Sequence, residues 1–121
     1  MRMLGVRQKF KINGAQGGIK GYLHMDKNDD GTLAMIAIEI YKEGTMARAM
    51  AQSFASAVNM GLAAGVPLES FIKEFRGSRF EPSGEVTGSP YVERCTSVLD
   101  YICQELEATF IRRETACETE F

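Results

Sequence analysis

The chain has 121 residues and a mass of 13.4 kDa, 45% of them apolar and 25% charged, enough to bury one core and too short for two. Fourteen basic against sixteen acidic residues leave a net charge of -2, a balance that announces neither a nucleic-acid nor a membrane partner through its long-range field. No uncharged apolar run reaches the roughly 18 residues of a membrane span, and MRMLGVRQKF is too charged for a secretory signal, so the expectation is a cytoplasmic protein with reduced thiols.

In chain order, VRQKFKI (6–12) and IKGYLHM (19–25) alternate apolar with polar side chains, the period of a half-buried strand. The glycines of NGAQGG (13–18) suit a tight reversal between them. DKNDDGT (26–32) leads into LAMIAIEIYK (33–42), a third strand expected to be the most buried of the sheet. The short connections make an antiparallel meander.

Thr45 is placed to cap a helix over 46–64. Its Met50, Phe54, Val58 and Leu62 form one apolar stripe, expected to cover the sheet. The neighbouring stripe of Ala47, Ala51 and Ala55 is expected to admit a second helix or subunit. Gly65 ends this helix and Pro67 begins another, PLESFIKEF, with Leu68, Phe71, Ile72 and Phe75 inward. GSRFEPSGEVTGSP (77–90) reads as a glycine-bounded connection. Ser89 and Pro90 then read as the start of a long helix, YVERCTSVLDYICQELEATFI, whose inner face runs through Cys95, Val98, Leu99, Ile102, Leu106 and Phe110. The fold class expected is α+β: a three-stranded antiparallel meander followed by three helices packed on it, one domain over 1–111 and a loose tail over 112–121.

Little in this pattern carries chemistry. Asp26, Asn28, Asp30 and Gly31 begin a calcium loop, but Ala37 stands where the bidentate glutamate belongs, so a solvated hairpin turn is expected and no metal. His24, the only histidine, shares a strand face with Tyr22 and reads as a sheet-surface residue. Cys95, Cys103 and Cys117 lack a CxxC spacing, and Glu69, Glu74, Glu105 and Glu107 read as solvated helix faces. No catalytic residue is assigned.

Taken together, Tyr22 to Gly31, Lys-Glu-Gly at 42–44, Gly-Val-Pro-Leu-Glu at 65–69, Arg-Phe-Glu-Pro-Ser-Gly at 79–84 and Thr-Ser-Val-Leu-Asp-Tyr at 96–101 resemble the C-terminal TSCPD domain of adenosylcobalamin-dependent (class II) ribonucleotide reductases. The resemblance covers about residues 7 to 112, in order, and the conjunction is specific where each motif alone is weak. The catalytic barrel of those enzymes, with its redox cysteines, nucleotide site and cobalamin site, has no counterpart here. What the resemblance implies is a non-catalytic accessory domain linked to deoxyribonucleotide synthesis, a split or stand-alone chain whose partner is the catalytic subunit. Adenosylcobalamin is expected only in that partner. The contact surface expected is Arg79, Phe80 and Glu81 in the glycine-bounded connection, with Lys42 and Glu43 at the sheet-to-helix corner. Two other readings stand beside it: a nucleotide or cofactor sensor using the amides of Gly77, Gly84 and Gly88 with Arg76 and Arg79, and a homodimer formed through the alanine stripe and the outer strands. Neither nucleic acid nor membrane is an expected partner.

Overall fold

The computed structural model describes residues 4–14, 17–41, 45–80 and 82–112. Strands β1 (Leu4–Asn13), β2 (Ile19–Lys27) and β3 (Leu33–Ile40) form the antiparallel meander, with Phe10 opposite Gly21 and Leu23 opposite Ile38. Alternation does what it promises. Phe10, Ile12, Ile19, Leu23, Met25, Ile36, Ile38 and Ile40 are buried on one face, while Arg7, Lys9, Lys11 and Lys20 are exposed on the other. The β2–β3 turn is a solvated hairpin turn. Asp30 Oδ1 accepts from the Thr32 amide at 3.0 Å and the Thr32 hydroxyl at 2.6 Å, bonds that hold this carboxyl below the usual range.

Three helices follow: α1 (Thr45–Ala63), α2 (Leu68–Phe75) and α3 (Val98–Glu107), the last running into a π-helical turn over Ala108–Arg112. The expected order of three strands then three helices holds, with an addition. Between α2 and α3 lie two short strands, β4 (Gly84–Thr87) and β5 (Arg94–Cys95), and the sheet order is β3-β2-β1-β4-β5. Part of the expected connection 77–90, Gly84–Thr87, is therefore strand, with Val86 opposite Ile12. Gly84 makes the junction possible: its φ is +140°, and a Cβ there would meet the Asn13 carbonyl at 2.5 Å.

Three sequence expectations need correction. β3 is an edge strand rather than the most buried one. Its rich isoleucine content reflects one face packed against α1, not burial on both sides. The stripes of α1 share its inner face: Val58 is buried and Phe54 and Leu62 pack against the core as expected, but Ala51 and Ala55 are buried beside them, and Met50 is 66% exposed. Small side chains let the helix axis approach the sheet, and the methionines turn outward. Finally, α3 begins at Val98 with Ser97 as its cap, so Cys95 belongs to a strand and Ser89 caps no helix.

The edge of β3 is closed by α1. Asn59 Oδ1 accepts from the Ile36 amide at 2.8 Å and its Nδ2 donates to the Ile36 carbonyl at 2.9 Å. An antiparallel ladder leaves alternate residues of an edge strand with both groups turned away from the neighbour, and here one amide side chain satisfies such a pair. The outer strand therefore offers less to a second copy than the sequence pattern implies.

Candidate functional site

Two of the motif-bearing segments, 79–84 and 96–101, meet at one corner. After α2 the chain reverses at Gly77, whose φ is +87°, and the reversal is fixed by Asp100 in the first turn of α3. Asp100 Oδ1 accepts from the Gly77 amide at 2.8 Å. Its Oδ2 accepts from the Thr96 amide at 3.0 Å and from Gln104 Nε2 at 2.8 Å. Arg76 Nε stands 3.9 Å away and its guanidinium also pairs with Glu107. Asp100 is only 4% exposed. Burial pushes a carboxyl up, but the donated bonds from Thr96, Gly77 and Gln104, with the Arg76 charge, outweigh it and hold Asp100 below its ordinary range.

Thr96 and Ser97 act separately. The Thr96 hydroxyl donates to the Ser78 carbonyl at 2.7 Å, and the Phe80 amide donates to the Thr96 carbonyl at 3.1 Å, which laces residues 78–80 to the start of α3. Ser97 accepts from the Asp100 amide at 3.0 Å, satisfying one amide of the helix start.

A second buried carboxylate, Glu105, lies one turn further along α3 and is 1% exposed, not a solvated helix face. It accepts from the Ser89 hydroxyl at 2.6 Å and the Tyr101 hydroxyl at 3.1 Å. Ser89 in turn accepts from the amides of Tyr91 and Val92, so it pins the β4–β5 loop. Tyr101 stacks on Phe10 with ring centroids 4.5 Å apart. Burial, and then the adjacent Glu105, push its phenol far above the usual range.

Above Asp100 opens a cleft of about 540 Å³ whose walls include Arg76, Arg79, Arg94, Thr96 and Gln104. Arg79 is exposed at its rim and Phe80, the next residue, is 46% exposed. Lys42, Glu43 and Glu81 lie outside the described residues. Gly77 and Gly84 line the cleft but Gly88 does not, and the Gly77 amide is already committed to Asp100, so the three glycines form no common cradle. A second cleft of about 560 Å³ lies between the β2–β3 turn, the end of α1 and the π-helical turn, lined by Leu33, Leu62, Val66 and Phe110 among others.

Sequence reading missed Asp100 and Thr96 as the organisers of this corner, although Ser97 followed three residues later by Asp100 has the form of a capping box. The two described thiols are poor nucleophiles. Burial, then the Asp100 charge, push Cys95 up to about 11 and Cys103 up to about 12. Cys117 lies outside the described residues. No group of three potential metal ligands occurs among the described residues, and no described helix is long and apolar enough to cross a membrane.

A small α+β domain with its loop corner gathered on a buried aspartate is thus the class this structure defines. The chain belongs to the TSCPD domain family, which matches residues 3–110. It is similar to the vitamin B12-dependent ribonucleotide reductase of Agrobacterium fabrum, 39% identical over 107 residues that make up 88% of this chain and 8% of that protein. The reductase of the same name from Bradyrhizobium diazoefficiens is 40% identical over 112 residues, 93% of this chain and 9% of that protein. That from Streptantibioticus cattleyicolor is 34% identical over 111 residues, 92% of this chain and 18% of that protein. The chain therefore spans less than a fifth of the length of these relatives. No solved structure matches it.

Proposed function

We propose that this chain is a non-catalytic accessory domain of a class II ribonucleotide reductase, acting in the cytoplasm through contacts with a catalytic subunit and so linked to deoxyribonucleotide synthesis. The observation that carries this reading is the asymmetry of the match: about nine-tenths of this chain against about a tenth of the first two reductases. The raised pKa values of Cys95 and Cys103 support it, because radical and disulfide chemistry needs accessible, convergent thiols. Adenosylcobalamin belongs, in this reading, to the partner. The only imidazole, His24, is bonded to Glu39 at 2.7 Å on the outer sheet face and lines neither cleft, which supports placing the cofactor in the partner.

For the contact surface we retain Arg79 and Phe80, with Lys42, Glu43 and Glu81. The outer stripe of α1 adds apolar area suited to a protein partner: Met46, Met50 and Met60 are 77%, 66% and 74% exposed, and exposed methionines adapt readily to an opposing surface. Co-purification with the catalytic subunit of a class II reductase tests the reading. Retention of the pair, with Phe80→Ala and Met50→Ser each weakening it about tenfold, roughly 1.4 kcal/mol, is the expected result. Failure to associate, with no change in reductase activity, would overturn it.

A further inference from the structure

The near-neutral total charge conceals a segregation that only the register reveals. On the outer face of the sheet Arg7, Lys9 and Lys11 follow one another on β1, and Lys20 lies directly opposite Lys11 on β2. None of the four has an ion-pair partner among the described residues. The carboxylates of this face border the row without pairing with it: Glu39 lies two strands from Lys9, across Tyr22, and is taken by His24, Asp26 lies opposite Gly5 at one end, and Glu85 lies opposite Asn13 at the other.

Two features set this row apart from an ordinary wet face. Like charges directly opposite each other across a ladder destabilise a sheet, yet Lys11 faces Lys20. Aromatic rings are also set among the cations. Arg7 lies 3.8 Å above the Tyr22 ring, Tyr41 meets Tyr22 edge-on at 5.9 Å, and the Tyr41 amide donates to the Lys20 carbonyl, so the ladder brings this 47% exposed ring beside the lysine pair.

We propose that this face binds single-stranded nucleic acid. Alternate residues of β1 recur about every 6.7 Å, a spacing that successive phosphates of an extended strand can follow, and the exposed Tyr41 offers a ring on which a base stacks. The outer face of a sheet presents no helix to enter a duplex groove, which favours the single strand. None of Arg7, Lys9, Lys11, Lys20, Tyr22 and Tyr41 lines the cleft that holds Arg79, so the binding is tested on this chain alone, without a reductase.

The test is fluorescence anisotropy of a labelled oligothymidylate titrated with the full chain across a salt series. With four cations engaged, the slope of log K against log salt is expected near -2.8, about a fiftyfold loss between roughly 50 and 200 mM salt. The double variant Lys11→Gln, Lys20→Gln should halve that slope while raising the unfolding temperature, because relieving the like-charge pair stabilises the fold. Lys9→Gln provides a second, milder reduction. Changing Arg48 and Lys73, cations of α1 and α2, to Gln should leave binding intact. No binding at the lowest salt, equal loss in the helix variants, or equal competition by polyglutamate would each overturn the proposal, the last by reassigning the face to acidic proteins.

Discussion

The half of the molecule made by β1, β2, β3 and α1 is held by a buried apolar face, with Asn59 tying α1 to β3 through side-chain hydrogen bonds. The corner made by α2, β4, β5 and α3 is gathered instead on two buried carboxylates. The difference is one of redundancy. Removing a methyl group from the meander costs a share of a distributed core, whereas removing Asp100 frees two backbone amides at once and takes one partner each from Gln104 and Arg76. A corner of this kind holds loops with little regular structure in one arrangement, as a recognition surface requires, and it is correspondingly sensitive to single substitutions.

The sharpest way to break this contrast is Asp100→Ala. Leaving the Gly77 and Thr96 amides without their acceptor should cost about 3–4 kcal/mol, read as a lower urea midpoint. Asp100→Asn should cost less and should also change the pH dependence. Because the folded pKa of Asp100 is depressed, its contribution is present above the unfolded carboxyl value, about 3.9, and disappears as the pH falls through the lower folded value. The asparagine variant should therefore show a flatter acid limb in a pH series of unfolding temperatures. Next comes Asn59→Ala, which leaves the Ile36 amide and carbonyl unpaired under α1. About 2 kcal/mol of destabilisation is expected, with faster hydrogen exchange at the Ile36 amide and little change around Asp100. The smallest effect, about 1 kcal/mol, is expected for Ser89→Ala. It deprives Glu105 of one of two donors and should loosen the β4–β5 loop in exchange measurements without moving the meander.

The same contrast governs how much could be read in advance. Strand alternation over 6–12 and 19–25, and the Gly65–Pro67 punctuation, are local signals, and they locate the meander, α1 and α2 closely. On α1 the apolar stripe locates the inner face at Phe54, Val58 and Leu62 but not at Met50, because the smaller Ala51 and Ala55 fill that face beside them. β4 and β5 contain four and two residues, too few for any period to register, and their existence depends on Asp100 and Ser89 bonds across distant sequence. Of the candidate surface, Arg79 and Phe80 were legible only through the family motif. The cationic row was written in the sequence as alternate basic residues, but the meeting of Lys11 with Lys20 required the register of the hairpin.

The amide of Asn59 has a consequence for the order of assembly. It grips the N–H and C=O of one residue, a bite that fits Ile36 because that residue stands opposite Met25 and turns both groups outward. A hairpin slipped by one position would present groups already engaged with β2, and α1 would find nothing to hold. The helix thus acts as a gauge: Asn59 finds both its partners only on a correctly registered β2–β3 pair, the same register that brings Tyr41 beside Lys20.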